Sequence, residues 1–408
     1  MNCDVCIIGG GAAGLMAAIS AKTASPEASV LILEKLPRVG KKISVTGNGR
    51  CNITNKRADV SNYHGKNPSF ILSAFKQFTL DDTERFFEQI GTPIIYEGDK
   101  GYPASLQAAS VTDALRFRCD ELGVVTECEQ KVCDIKKQGD GYLVITDKCR
   151  VSAKALICSA GMLSGGEKLG SDGAVFGILK NMGIKTVTPS PAIVQIKTDT
   201  EYVRQLKGIK VDTFVTVKDK NGNVKRNDFG EVLFCDYGIS GPPVLQVSGD
   251  CENGDIITLD LMPRYEENTL FEALLLRKKN LKNRTCDEFL SGFINKRLGQ
   301  VVLKMANVPL TKSVDALNNK EIKDVCRILK DFSLFVRGNG GFINSQVTKG
   351  GLLCEDFYDD TLMCKKHKGL FAVGEILDID GDCGGFNLQW AWSSGFVAGR
   401  AAAKYTER

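Results

Sequence analysis

The sequence predicts an α/β fold built on a parallel sheet, interrupted by an antiparallel middle and closed by its last residues. Three observations predict it. Short apolar runs at residues 3–9 and 29–34 flank a glycine turn and an Ala-rich stretch, the order of a βαβ unit. From residue 191 to about 263 the texture changes to short alternating runs, the pattern of half-buried antiparallel strands. After residue 337 the buried-strand and Ala/Gly-dotted helix patterns of the start return, so the first domain is read as discontinuous.

Taken in order, residues 3–9 predict a strand, 12–23 a helix of strong helix formers, and 29–34 (SVLILE) the next strand. Residues 111–122 read as a helix, 154–159 (KALICS) as a buried strand ending at Ala160-Gly161, and 174–182 as another helix. In the middle stretch, 213–218 and 256–261 read as strands, with a hairpin-turn signal at Asn221-Gly222 between them. Residues 267–330 place apolar side chains at helical spacing with few glycines and predict three or four short helices. Residues 332–336 return to strand, 369–373 (GLFAV) form a buried strand, and 388–405 a helix. The expected domains are 1–190 with 337–408, then 191–265 with 331–336, and a helical insert at 266–330. There are no internal repeats and no low-complexity tracts.

Composition narrows the function classes. The 408 residues are 43% hydrophobic and 25% charged, which excludes intrinsic disorder and collagen-like structure. A formal net charge of +4 does not announce a nucleic-acid or membrane protein. The 42 glycines make up about a tenth of the chain, against a usual share of about 7%, while prolines number only 11. That balance points to backbone closely approached by something rather than to linkers. The start, Met1-Asn2-Cys3-Asp4, lacks the basic segment of a signal peptide, so the 15 cysteines are expected as reduced thiols in a cytoplasmic protein. The uncharged run 5–21 has 17 residues and is broken by glycines, short of the roughly 20 apolar residues of a membrane span.

The first motif with chemistry is Gly9-Gly10-Gly11-Ala12-Ala13-Gly14, a G-x-G-x-x-G that follows a strand and opens a helix. Glu34 stands twenty residues beyond Gly14, at the end of the next strand. In such a unit Gly9 permits the tight turn, Gly11 lets a pyrophosphate approach the backbone, and Gly14 brings helix and strand together. The helix N-terminus faces the negative charge, and Glu34 can accept from the ribose hydroxyls of an adenosine. A second constellation argues for FAD over NAD: Gly40-Lys41-Lys42, then TGNGRCNITN at 46–55, with two glycines, three amides, two hydroxyls and a guanidinium. It reads as a loop over the pyrophosphate and ribityl chain, with amides placed for the edge of an isoalloxazine. Downstream, Gly374-Glu375 follows a strand and Gly384-Gly385-Phe386-Asn387-Leu388 opens the last helix. A helix N-terminus aimed at the flavin pyrimidine would stabilise the negative charge that builds there on reduction.

These residues carry a resemblance. VTGNGRCNITN (45–55), GEVLFCDYGISGPPVLQ (230–246), SQVTKGG (345–351) and GEILDIDGDCGGFNLQWAWSSGFVAG (374–399) make the chain similar to a family of FAD-binding oxidoreductases. That family includes the BaiN/YhiN-type and aminoacetone-oxidase-like flavoproteins, and the likeness spans nearly the whole chain. It implies a glutathione-reductase-type FAD domain with an inserted antiparallel β-barrel that itself holds the helical insert. It also implies that Gly9, Gly11, Gly14, Glu34, Lys35 and Gly40 line the FAD site, together with Lys41, Asn48, Arg50, Cys51 and Asn52. Val132, Ala160, Gly161, Glu375, Asn387 and Leu388 would join them, and Ala12, Ala13, Gly49, Gly374 and Gly385 belong to the same motifs. One departure is Cys158-Ser159-Ala160-Gly161, where many relatives carry Ala-Thr-Gly; the residues remain small.

Other signals carry less. Cys3-x-x-Cys6 lies in the first strand, where residues three apart point to opposite faces; it reads as structural thiols, with no second pair for zinc. Cys51 sits in the presumed cofactor loop without an evident resolving partner. His64 and His367, the only histidines, stand near no motif, so neither a His-based triad nor a metal site is expected. Arg277, Lys278, Lys279, Lys282 and Arg284 form a basic cluster in the helical insert, read as a solvated face rather than an RNA contact. The glycines at 338–341 open no helix and have no acid at the right distance, so no second dinucleotide module is expected. The function expected is hydride transfer at flavin N5, with NAD(P)H as a transient donor reducing an enone or similar small substrate. The alternatives are oxidation of a small amine or aminoketone by oxygen and, from another class, an RNA-associated flavoprotein using the basic insert. Tyr237 and Lys349 are the candidates on the substrate side, against readings of packing for the first and solvent exposure for the second.

Overall fold

A computed structural model describes residues 1–407. It divides into two compact units, one of residues 1–191 with those from Phe342 onward and the other of Ala192–Gly341.

In the first unit β1 (Asn2–Ile8), α1 (Ala12–Ala24) and β2 (Val30–Leu33) form the expected βαβ unit. β1 lies between β2 and the strand Arg150–Cys158, parallel to both, with Ile7 opposite Ile32 on one side and Ile157 on the other. Val125–Glu127 extends the parallel sheet beyond β2, and Leu370–Ala372 pairs with Arg150–Cys158 on the far side. An antiparallel hairpin, Val132–Gln138 with Gly141–Thr146, also joins Arg150–Cys158, which completes seven strands. Central parallel strands are covered on both faces and so read as continuous apolar runs; Val5, Cys6, Ile7, Leu156 and Ile157 are fully buried.

The last helix, Phe386–Thr406, packs along α1. Glycine makes that approach possible: a Cβ on Gly395 would lie 2.4 Å from the Ala13 carbonyl oxygen, and one on Gly399 2.2 Å from that of Ala17. Two helices separated in sequence by the whole middle of the chain thereby stand side by side.

The second unit holds a closed six-stranded barrel, in the order Ile196–Thr198, Gly238–Ser240, Val224–Phe234, Lys210–Lys218, Ile256–Asp260 and Phe332–Asn339. Val215, Val217, Phe234, Ile257 and Leu259 fill it. The helices Glu267–Asn280, Lys296–Met305 and Asn319–Lys330 share its apolar core. The turn at Asn221-Gly222 leads from Lys210–Lys218 into Val224–Phe234, not directly to Ile256–Asp260. The intervening strand escapes a hydrophobic-pattern reading because its first half, VKRNDF, is polar and mostly exposed. The glycines at 338–341 do lead into a helix, but one of only four residues, Gly341–Asn344, too short to offer a phosphate-binding N-terminus. No helix among the described residues is long and apolar enough to cross a membrane.

Candidate functional site

One cavity in the first unit is walled by separated parts of the sequence. The βαβ turn contributes Gly9, Gly11, Ala12 and Ala13; later segments bring Glu34, Gly40 and Lys41. The end of Arg150–Cys158 brings Ala160 and Gly161, and the C-terminal segment Gly374, Glu375, Asn387 and Leu388. A second cavity shares Gly9, Glu34, Ala160, Gly161 and Gly170 with the first and adds Lys35 and Val132. Together they suit an extended ligand, with Glu34 on the wall common to both.

The glycine turn has three different physical jobs. Gly9 has φ +103°, and a Cβ there would stand 2.7 Å from Ala160 Cα. A Cβ on Gly14 would stand 2.0 Å from the Gly9 carbonyl oxygen. Gly11 has an extended backbone (φ −82°, ψ −168°) and nothing within 4 Å of a Cβ; it is kept bare by the cavity, not by the fold. No side chain caps α1 and no acid sits in its first turn, which leaves its N-terminal N–H groups for an anion. Glu34 is fixed beside them: Oε2 accepts from Gly10 N–H and Oε1 from Leu36 N–H, each at 2.8 Å. The remaining carboxylate lone pairs are those that vicinal hydroxyls would use. Lys35 pairs with Asp172 at 2.8 Å.

The segment 46–55 behaves differently from the loop expected over the cofactor. Thr46 lines the cavity, but Asn48 and Gly49 are exposed, with positive φ of 55° and 83°. The Arg50 guanidinium pairs with Glu97 and stacks over Tyr102, 4.3 Å from its centroid. Cys51 is fully buried; burial pushes its thiol up to about 12, against the opposing pull of a hydrogen bond with Thr46, which is the wrong direction for a redox thiolate. Beyond it the chain is sewn to the last helix. Thr54 Oγ1 donates to Gln389 Oε1 at 2.6 Å, and Trp392 Nε1 donates to Ile53 O at 3.0 Å. Asn52 lies at the start of that helix; its Oδ1 is buried without a hydrogen-bond partner and stands 2.8 Å from where a Cβ of Gly385 would be.

A bare-backbone cradle and two helix N-termini without side-chain caps are what FAD needs: anion contacts for the pyrophosphate and a positive end for the flavin. The residues present fit the group. Asn387, at the cavity wall, spends its amide on the chain itself, accepting from Gly381 N–H and donating to Gly381 O, both at 2.8 Å. Its side chain therefore shapes the entry to the last helix.

Two contacts were out of reach of sequence reasoning. Lys42 lines the cavity and pairs with Glu375 at 2.6 Å, joined by Ser164 and Thr348. His64, expected to stand near no motif, is 2.8 Å from Asp382 in the 374–399 motif, through strand pairing of residues 63–64 with 380–381. The signal for Lys42 was the Gly40-Lys41-Lys42 stretch that holds it, and for His64 the motif on the other side of the contact. The neighbouring Cys3 thiol and burial push the Cys6 thiol well above its ordinary value.

Of the substrate-side candidates, Tyr237 belongs to the second unit, where burial, followed by hydrogen bonding and charge repulsion from Cys235, pushes its phenol up, away from acid–base use at neutral pH. Lys349 is half-buried in the strand Val347–Leu352, two positions after the cavity-lining Val347, and acts electrostatically on buried Asp378. Among the described residues no group of three or more His, Cys, Asp or Glu could hold a metal ion.

Comparison with known proteins agrees with the motif resemblance. The model of a family described as HI0933-like protein Rossmann domain matches residues 3–401. The chain is 35% identical over 404 residues to a 3-dehydro-bile acid delta(4,6)-reductase of Clostridium scindens, covering 98% of each chain. It is 28% identical over 401 residues to a ribosomal RNA dihydrouridine synthase of Escherichia coli, covering 97% of this chain and 96% of that one. It shares the fold of a 3-ketosteroid-delta4-(5alpha)-dehydrogenase from Rhodococcus jostii RHA1, with a TM-score of 0.50, 14% identity, and 98% and 97% of the two chains covered.

Proposed function

The chain belongs to the HI0933-like family of FAD-dependent, Rossmann-fold oxidoreductases, and from that premise we propose that it reduces a carbon–carbon double bond conjugated to a carbonyl in a small organic substrate, with NAD(P)H as donor. The observation that carries this reading is the 35% identity to a bile-acid delta(4,6)-reductase over 98% of both chains. The more distant relative is named for dihydrouridine, a pyrimidine whose ring double bond, conjugated to a carbonyl, has been reduced. Both names describe one reaction class: hydride to the far carbon of the conjugated system and a proton to the near one.

When bound, FAD supplies the hydride-accepting and hydride-donating centre. In this reading the residues of the chain do the rest. The bare turn at Gly9–Gly14 and the N-terminus of α1 would hold the pyrophosphate, and Glu34 the adenosine ribose. The first turn of the last helix, through Asn387 and Leu388 at the cavity wall, would stabilise the negative charge that reduction builds on the flavin. Val347, Val373, Ile379, Leu388 and Trp390 give the cavity apolar walls, which exclude water from the cofactor. In this reading the nicotinamide docks transiently beside the cofactor.

An RNA base is the second reading, favoured by the relative at 28% identity. The basic cluster that the sequence offered for it is partly spent internally. Arg277 donates to the carbonyls of Phe289 and Ser291, and Lys278 to that of Leu317 at 2.5 Å.

The test is an anaerobic titration with NADH and NADPH, followed by rapid mixing of the reduced protein with a steroid enone, a ribosomal RNA fragment, or oxygen. Aerobic peroxide formation with small amines and aminoketones is measured beside it. Reoxidation by the enone faster than by buffer is expected. Reoxidation by RNA alone would replace the small-substrate reading, and amine-dependent peroxide without enone turnover would make the protein an oxidase.

A further inference from the structure

The cavity wall holds a charged pair whose remaining hydrogen-bonding capacity can be counted. Glu375 Oε1 accepts from Ser164 Oγ at 2.5 Å and from Thr348 N–H at 2.7 Å, which fills both of its lone pairs. Glu375 Oε2 accepts from Lys42 Nζ at 2.6 Å, leaving one lone pair. The Lys42 ammonium donates to Glu375 and, at 2.6 Å, to Ser164 Oγ, leaving one proton. Thr348 Oγ1 in turn accepts from the N–H groups of Leu163 and Ser164 at 3.1 and 3.0 Å, which fixes the serine. Lys42 and Glu375 side chains are 29% and 17% exposed, and both line the cavity.

One free donor and one free acceptor therefore stand side by side on atoms 2.6 Å apart, a match for hydroxyl groups, each of which accepts one hydrogen bond and donates one. We propose that Lys42 is a positioning residue of the cofactor site: it orients Glu375 toward the polyol chain of FAD and neutralises a carboxylate that would otherwise face an anionic ligand. The inference rests on the flavin reading and adds to it a residue that acts chiefly through Glu375. Without Lys42, the Glu375 carboxylate remains at the wall uncompensated, and a cofactor carrying a pyrophosphate is repelled. The lysine thus acts through charge balance, and removing both partners must be milder than removing the cation alone.

The test uses the full chain, stripped of flavin and titrated with FAD, in the wild type, Lys42→Met, Glu375→Gln and the double variant, with the fold followed by circular dichroism. Lys42→Met is expected to weaken FAD binding by roughly 10- to 100-fold, as when one partner of a desolvated charge pair is truncated. The double variant is expected to bind FAD more tightly than Lys42→Met. The midpoint potential of the bound flavin should fall in Lys42→Met, where a net negative charge is left beside it, and recover in the double variant. Lys42→Met binding FAD as the wild type does would overturn the proposal. So would a double variant no better than Lys42→Met, because the lysine would then act by packing alone. A wild-type chain that takes up no FAD would instead refute the flavin reading beneath it, a result visible before any variant is made.

Discussion

Gly11→Val separates what the fold requires from what the cofactor requires. Gly11 has an extended backbone, φ −82°, and no heavy atom lies within 4 Å of a Cβ built there. A Cβ at this position meets nothing in the chain itself, so the flavin-free protein should lose no more than about 1 kcal/mol, the cost of an apolar residue at the N-cap of α1. The new side chain projects into the cavity that Gly11 lines. There it would deny the pyrophosphate one charge-assisted hydrogen bond, worth about 1.5–3 kcal/mol. It would also crowd the ligand at a cost of about 1–3 kcal/mol. A loss of about 3 kcal/mol corresponds to roughly 150-fold in dissociation constant. The assay is a fluorescence titration of flavin-free protein with FAD, beside thermal melts of the same samples. A variant that purifies with wild-type flavin content would refute the placement of the pyrophosphate. One that melts early without flavin would refute the claim that only the ligand keeps this position bare.

Gly14→Ala is the counterpart, because its Cβ would sit 2.0 Å from the Gly9 carbonyl oxygen and 2.6 Å from Ser159 Oγ. The flavin-free protein should lose about 1–3 kcal/mol or more, seen as a lower melting midpoint. Arg277→Ala should destabilise the helical part of the second unit by about 1–3 kcal/mol, by stranding the Phe289 and Ser291 carbonyls. Neutralising exposed Lys279, Lys282 and Arg284 should change a urea midpoint little. Asp4, although burial raises its pKa, is held down at about 2 by hydrogen bonds from Lys154 and Ser29. Because the folded value lies below the unfolded one, its contribution of about 1–2 kcal/mol is fully present above about pH 4 and lost as the pH falls through about 2. Acid titration of Asp4→Asn should lack that increment. Cys51, buried and pushed up to about 12, should resist iodoacetamide at pH 8 while exposed Cys133 reacts, as read by peptide mass spectrometry; labelling of native Cys51 would contradict its burial.

The parts of the fold legible in the sequence were those that local pattern dictates. The βαβ unit announces itself through two apolar runs and three glycines within thirty-four residues, and the structure keeps those elements within a residue or two. Strand Val224–Phe234 was not legible, because its polar first half is mostly solvent-exposed and hydrophobic periodicity is silent there. The contact of His64 with Asp382 spans 318 residues, and no pattern in either neighbourhood records a partner that only strand pairing supplies. Lys42 and Lys41 are adjacent and chemically identical in sequence; which of them meets Glu375 is decided by the backbone path after Gly40.

Polar composition was the least reliable guide, and the reason is physical. A buried or half-buried charge must be matched, and the sequence does not say whether the match is a ligand or the chain's own backbone and side chains. Arg50 finds Glu97 and Tyr102, Arg277 two carbonyls, and Asn387 both backbone groups of Gly381. In each case a group that composition offers to a ligand is already engaged by the protein. Groups left with spare capacity include the remaining lone pairs of Glu34, the uncapped starts of α1 and the last helix, and the single remaining donor and acceptor of Lys42 and Glu375. What a protein can hold is better read from hydrogen-bonding capacity its own fold has not used than from the number of polar residues a motif contains. In this chain the wall of the cavity and the start of the last helix hold such capacity.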